Sequence, residues 1–143
     1  MIIDDSRADR MMVELAFSEV GLDANFIEFG YAEEALDYFN ALIKDSPQSA
    51  SMQIPELIFL DINMPRMDGF EFLEKFSLLR NVPSFQNIIV VMNTTSERDS
   101  ERKTAFKYPF VDSFVTKPLS DADIGRILGE NFVEDYDNLF SGQ

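Results

Sequence analysis

Short apolar runs alternate with helical patterns along the chain, and this alternation constrains the fold more than any other feature. Between the runs, hydrophobic residues recur at spacings of three and four, which predicts an amphipathic helix after each strand. Repeated strand-helix units of this kind form a parallel sheet with helices on both faces. We therefore expect an α/β fold with five helices and five strands, the strands lying at residues 1–3, 26–29, 57–60, 88–92 and 111–116.

Polar residues mark most of the predicted helix starts. A serine or aspartate followed three residues later by an acid is the pattern of a helix capping box. The pattern occurs at Ser6 with Asp9, Asp68 with Glu71, Ser96 with Asp99, and Ser120 with Asp123. The helix that follows Ser96 has only Ala105 and Phe106 as apolar residues near its end, so we expect it to be the most loosely packed.

Charged residues stand where three of the predicted strands end. Asp4 and Asp5 follow the first strand, Asp61 follows the third, and Lys117 follows the fifth. Right-handed crossovers predict a doubly wound sheet, and in such a sheet the strand order 2-1-3-4-5 places the first and third strands side by side. The carboxyl ends of such strands share the edge where open α/β sheets bind their ligands. The sequence therefore predicts that the three carboxylates converge.

Composition excludes several kinds of chemistry. The chain has no cysteine and no histidine, so thiolate metal sites, histidine cages and serine-histidine triads are excluded. The formal charge of -14 disfavours direct binding to nucleic acid. No apolar run approaches the roughly 18 residues of a membrane span, so we expect a cytoplasmic protein. At 143 residues it should form one domain.

Three neighbouring carboxylates repel one another unless one is protonated or a cation joins them. An all-oxygen set suits Mg²⁺, and Mn²⁺ is a possible substitute. The local charges agree with a divalent ion, because three acids and Lys117 sum to about -2.

Taken together, these residues resemble the receiver domains of two-component response regulators, including the single-domain chemotaxis type. The resemblance runs from Ile2 to about Asn131. It rests on four elements in order: Asp4-Asp5, the D-x-x-M-P-x-M-D-G run from Asp61 to Gly69, a hydroxyl ending the fourth strand, and Lys117-Pro118. It implies a flavodoxin-like sheet of order 2-1-3-4-5. The domain should span 1–131, and 132–143 should be an acidic tail that extends the last helix or begins a linker.

The resemblance implies a role for each strand-end residue. Asp61 would be the phosphoacceptor, receiving a phosphoryl group from a sensor histidine kinase, a histidine phosphotransfer protein or a small acyl phosphate. Mg²⁺ would be held by Asp4, Asp5, Asp61 and the backbone carbonyl of Asn63. Lys117 would neutralise the transferring phosphoryl oxygens. Such a protein catalyses only its own phosphorylation and slow dephosphorylation, and it is not an enzyme that turns over a metabolite.

A signalling switch is implied as well. Thr94 resembles the hydroxyl that turns toward the phosphoryl group, although Thr95 is the alternative. Phe114 resembles the aromatic partner that turns inward, although plain core is the alternative. The pair would signal to a downstream target through the fourth helix and fifth strand. The Lys117-Pro118 bond is expected to be cis, which would aim the ammonium into the crevice.

Two other functions and some departures from the family pattern remain. A phosphohydrolase of the haloacid dehalogenase kind also uses a strand-end aspartate, but it needs a second acid where Asn63 stands. A degenerate receiver would bind partners without being phosphorylated.

Asn93 is polar where the strand is usually apolar, and Gly69 is interpreted as needed for close backbone approach or the helix start. Three residues are short for a central strand, so residues upstream of Met1 are an open expectation.

Overall fold

The computed structural model describes residues 1–44, 47 and 49–132. Its strands are β1 (Ile2–Ile3), β2 (Glu28–Phe29), β3 (Leu57–Leu60), β4 (Ile89–Thr94) and β5 (Val111–Thr116). Its helices are α1 (Arg7–Glu19), α2 (Ala32–Ile43), α3 (Gly69–Leu79), α4 (Asp99–Ala105) and α5 (Asp121–Asn131). In the part of the chain that is described, no helix is both long and apolar enough to cross a membrane. The expected tail at 132–143 lies outside this part except for Phe132.

The five strands form one parallel sheet in the order β2-β1-β3-β4-β5, which confirms the predicted doubly wound topology. Ile3 of β1 pairs with Phe29 on one side and with Leu60 on the other. The N–H of Asp61 then donates to the carbonyl of Ile3 at 3.0 Å. The residues that follow β1 and β3 therefore leave the sheet side by side.

Both faces of the sheet are covered, as the unbroken apolar runs predict. Along β3, Ile58 and Leu60 belong to one hydrophobic cluster and Phe59 to the other. The first cluster also takes in α2 and α3 and is rich in aromatic rings: Phe39, Phe72, Phe76, Phe85 and Phe110. The second takes in α1 and α5 through Val13, Ala16, Phe17, Ile124, Ile127 and Leu128. Burial of each large apolar side chain contributes about 1.5–3 kcal/mol, so the helices are anchored mainly by these two clusters.

Three of the four predicted helix caps are confirmed. The side chains of Ser6, Asp68 and Ser120 each accept the N–H of the residue three positions later. The prediction for Ser96 is wrong, because α4 begins later and Arg98 precedes it without a side-chain cap. The Ser96 hydroxyl instead donates to Glu101.

Element lengths also differ in part from expectation. Strand β2 covers only the last two residues of the predicted run, whereas β4 continues through Asn93 and Thr94. Those two polar residues stay in the strand because they pair with Val115 and Thr116 of β5. The loose packing predicted for α4 is confirmed, since Ala105 is the only residue buried within it.

Candidate functional site

The three strand-end acids converge at the carboxyl edge of the sheet. Asp4, Asp5 and Asp61 each offer one carboxylate oxygen, and these oxygens lie within 4.8 Å of one another. Asp4 and Asp61 are buried and Asp5 is exposed, so the cluster opens to solvent on one side. Oxygen donors that are partly accessible fit Mg²⁺, which keeps several of its waters when it binds protein.

Lys117 joins the cluster from the end of β5. The Lys117-Pro118 bond is cis, as expected from the family resemblance. The ammonium nitrogen lies 2.7 Å from Asp4 Oδ2, 2.8 Å from Asp9 Oδ2 and 3.4 Å from Asp61 Oδ2. Burial alone would lower the pKa of Lys117, but its hydrogen bonds to Asp4 and Asp9 outweigh burial and raise that pKa. Lys117 is therefore a fixed positive charge.

Asp61 is positioned by its own backbone. Its Oδ1 accepts the N–H of Ile62 at 2.8 Å, which leaves Oδ2 on the side of Lys117. Burial raises the pKa of Asp61, Lys117 opposes that shift, and the charge of Asp4 adds to it. A cation in the cluster would favour the ionised carboxylate, which is the form that acts as a nucleophile.

The run after Asp61 folds back tightly against β3. The N–H of Gly69 donates to the carbonyl of Ile62 at 2.8 Å. A Cβ on Gly69 would lie 2.4 Å from the carbonyl oxygen of Asp61, so only glycine fits there. Gly69 is also the first residue of α3, and Asp68 caps that helix. Both interpretations of Gly69, close backbone approach and helix start, are therefore confirmed.

The two switch candidates lie on neighbouring strands. Thr94 is fully buried at the end of β4, and its Oγ1 accepts the N–H of Ser96 at 3.2 Å. Thr95 is exposed. Phe114 is half-buried, with the guanidinium of Arg102 at 5.8 Å from its ring centroid and 3.5 Å from its carbonyl oxygen. Arg102 thus connects α4 to β5 at the position of the aromatic candidate.

Sequence reasoning missed the ion pair of Asp9. The pattern Ser6-x-x-Asp9 indicated a helix cap, and the backbone N–H of Asp9 does bond to Ser6 Oγ at 3.3 Å. Its carboxylate, however, contacts Lys117, which is 108 residues away in sequence. Nothing in the local pattern distinguishes this arrangement from an ordinary cap.

Two cavities differ in their relation to this cluster. One of about 240 Å³ adjoins it and is lined by Asp9, Met12, Asn93, Thr95, Lys117, Pro118 and Leu119. Asn93 is buried there, and its Oδ1 has no hydrogen-bond partner within the described residues. A larger cavity of about 330 Å³ lies at the opposite, amino ends of the strands, beside Met1, Ile27 and Leu57. Only the smaller cavity shares residues with the charged cluster.

Comparison with known proteins gives relatives over most of the chain. Protein PilG of Pseudomonas aeruginosa is 30% identical over 124 residues, which cover 87% of this chain and 79% of PilG. The probable methanogenesis regulatory protein FilR2 of Methanothrix harundinacea is 28% identical over 130 residues, covering 91% of this chain and 78% of FilR2.

A solved structure and a family model show the fold and the family of this chain. The crystal structure of a two-component response regulator from Cytophaga hutchinsonii superposes with a TM-score of 0.78 at 21% identity, covering 92% of this chain and 94% of that one. The family model of the response regulator receiver domain matches residues 1–128, a span that contains every residue of the charged cluster. The protein therefore belongs to the response regulator receiver domain family.

Proposed function

We propose that this protein is a phosphorylation-controlled switch in which Asp61 accepts the phosphoryl group. One observation carries the proposal: the carboxylates of Asp4, Asp5 and Asp61 and the ammonium of Lys117 meet at one edge of the sheet. The chain contains no histidine, so a phosphohistidine donor must belong to another protein. A sensor histidine kinase or a histidine phosphotransfer protein is the partner that fits this requirement.

The transfer would be a displacement at phosphorus. The ionised carboxylate of Asp61 forms an O–P bond while the N–P bond of the donor breaks, and the electron pair of that bond returns to the imidazole. The N–H of Ile62 holds Oδ1, so Oδ2 is the oxygen that faces Lys117. Lys117 would neutralise charge on the equatorial phosphoryl oxygens, which is the main demand of a loose phosphoryl transfer.

A divalent ion, Mg²⁺ or Mn²⁺, would be held by the carboxylates of Asp4, Asp5 and Asp61 and by the backbone carbonyl of Asn63. When bound, such an ion acts as a Lewis acid toward the phosphoryl oxygens. Asp4 and Asp61 are buried and Asp5 is exposed, and Asp5 would hold the ion most directly. This assignment makes the phosphorylation dependent on a divalent cation.

The signal would leave through α4 and β5. Helix α4 is seven residues long and buries only Ala105, so little apolar contact holds it in place. Arg102 contacts both the ring and the carbonyl of Phe114. A rotation of Phe114 after Thr94 moves would therefore break contacts of Arg102 and shift α4. A downstream target protein would recognise the changed surface.

Two observations weigh against the alternative functions. An aspartate-nucleophile phosphohydrolase needs a general acid two residues after the nucleophile, and Asn63 cannot donate or accept that proton. A degenerate receiver would lack part of the charged cluster, yet the acids, Lys117 and the Thr94 hydroxyl are all present. The net charge of -14 further disfavours nucleic acid as a direct partner.

The proposal is tested by incubation with acetyl phosphate and Mg²⁺, followed by intact-mass measurement. The wild-type protein should gain one phosphoryl group, and Asp61→Asn should gain none. Asp68→Asn is a matched control, because it changes an acid of the same run while asparagine still caps α3. A wild-type protein that binds Mg²⁺ but stays unmodified would favour the degenerate receiver. Steady release of phosphate from a phosphate monoester would favour the phosphohydrolase.

A further inference from the structure

Two helices of this chain begin with the same serine-x-x-aspartate pattern, yet their aspartates have different partners. At α5 the capping box is complete, since Asp123 Oδ2 accepts the N–H of Ser120 at 3.0 Å and its hydroxyl at 2.8 Å. Oδ2 of this aspartate therefore accepts both hydrogen bonds from its own helix start. Helix α5 therefore shows this pattern with its aspartate bonded to its own helix start.

At α1 the box is open. The N–H of Ser6 donates to Asp4 Oδ1 at 2.9 Å instead of to Asp9. The Asp9 carboxylate turns away from the helix start and lies 2.8 Å from the Lys117 ammonium. Asp9 is thus an additional charged neighbour of the site, held in place by a helix whose cap it does not close.

The ammonium of Lys117 is shared unequally. It has three N–H donors, and its two shortest contacts are with Asp4 at 2.7 Å and Asp9 at 2.8 Å. Asp61 is the most distant of its three carboxylate partners, at 3.4 Å. Asp9 is also the most exposed of the three, with 38% of its side chain accessible, so water can replace Lys117 as its partner.

We propose that Asp9 is a positioning residue that draws the Lys117 ammonium toward α1 and so limits phosphorylation of Asp61. The inference rests on the proposed function of Asp61. Asp9 occupies one N–H of Lys117 and places a negative charge beside its ammonium, which weakens the attraction of that ammonium for an incoming phosphoryl group. On phosphorylation, Lys117 exchanges Asp9 for a phosphoryl oxygen, and the released Asp9 carboxylate becomes hydrated.

The kinetic test uses acetyl phosphate and Mg²⁺ with the full chain. Asp9→Asn should be phosphorylated about 3- to 10-fold faster than wild type, as expected when a partly exposed charge pair of about 1 kcal/mol is removed from the starting state. Asp9→Glu keeps a carboxylate within reach of Lys117 and should stay near the wild-type rate. Glu34→Gln, an exposed acid in the first turn of α2, controls for the loss of one charge at a helix start. Added salt screens the pair of Asp9 and Lys117, so it should reduce the difference in phosphorylation rate between Asp9→Asn and wild type.

A second measurement does not depend on phosphorylation or on metal. Urea unfolding of wild type, Asp9→Asn, Lys117→Met and the double variant forms a cycle that isolates the pair. We expect a coupling of about threefold in the folding equilibrium constant, in the range of partly exposed ion pairs. Absence of coupling would overturn the inference, because the pair would then not restrain Lys117.

The two proposals fail in distinguishable ways. If wild type and Asp9→Asn both remain unphosphorylated, the proposed function of Asp61 fails and the inference fails with it. If wild type is phosphorylated and Asp9→Asn is equally fast or slower, only the role of Asp9 is overturned. If Glu34→Gln is phosphorylated faster than wild type by the same factor as Asp9→Asn, the acceleration is a general effect of charge. That result would also overturn the role of Asp9.

Discussion

Replacing Gly69 with alanine tests how closely α3 approaches the backbone that carries Asp61. The added Cβ would lie 2.4 Å from the Asp61 carbonyl oxygen and 2.9 Å from Ile62 Cα, whereas real Cβ contacts essentially never fall below 3.0 Å. Both neighbours are backbone atoms, so no side-chain rotation relieves the overlap. The Gly69 N–H also donates to the Ile62 carbonyl at 2.8 Å, so moving α3 away weakens a hydrogen bond.

The expected cost follows from these contacts. Overpacking in a well-packed region costs about 1–3 kcal/mol, and a weakened hydrogen bond adds about 0.5–1.5 kcal/mol. Replacing a helical glycine with alanine returns up to about 1 kcal/mol. Gly69→Ala should therefore lower the free energy of unfolding by about 0.5–4.5 kcal/mol. Since the overlap is with Asp61 itself, Mg²⁺ affinity should fall as well.

Urea unfolding followed by circular dichroism measures the change in stability, and Gly125→Ala is the matched control. A Cβ at Gly125, in the middle of α5, meets no described atom within 4 Å. That variant should gain about 0.5–1 kcal/mol from the reduced entropy of the unfolded chain. Alanine at Gly69 should therefore lower the free energy of unfolding, whereas alanine at Gly125 should raise it. Equal stabilities for the two variants, or unchanged Mg²⁺ affinity in Gly69→Ala, would refute the argument.

Three further predictions concern charges and caps. Because burial raises the pKa of Asp61, its ionisation opposes folding, so Asp61→Asn should be more stable than wild type at pH 7. Urea titrations should show that advantage shrinking as the pH falls toward the ordinary aspartate value of 3.8. Because the pKa of Lys117 is raised, wild type should lose stability as the pH rises above 10.5, a loss that Lys117→Met should lack in the same assay. Ser120→Ala should lower stability by about 0.5–2 kcal/mol in thermal melts, since it removes the cap of α5.

The strands and the charged residues at their ends could be predicted because their signals are local, whereas the sheet order 2-1-3-4-5 followed from the family resemblance. Each apolar run marks a buried strand, and a charged residue at its end must leave the core at the carboxyl edge of the sheet. The family resemblance then assigned Asp61 and Lys117 to one site, and the structure brings their side chains within 3.4 Å. The cis geometry at Pro118 also followed from the resemblance.

Strand length was harder to predict because hydrophobicity reports burial and not hydrogen bonding. The fourth apolar run ends at Met92, which predicts a strand that ends there, and Asn93 departs from the family pattern. In the structure the strand continues, and the N–H of Lys117 donates to the Thr94 carbonyl at 2.8 Å. Pairing with β5 therefore extends β4 through two polar residues, which no local pattern reports.

Asp9 shows why one local pattern can have two outcomes. Its carboxylate could accept a neutral backbone N–H, as Asp123 does in α5, or an ammonium N–H. A hydrogen bond to a charged donor is roughly twice as strong as one to a neutral donor. The exchange leaves no donor unsatisfied, because Asp4 accepts the N–H of Ser6 in place of Asp9. The position of Lys117 at the end of β5 determines which partner Asp9 takes. Only the folded arrangement of α1 and β5 could therefore identify Asp9 as part of the site.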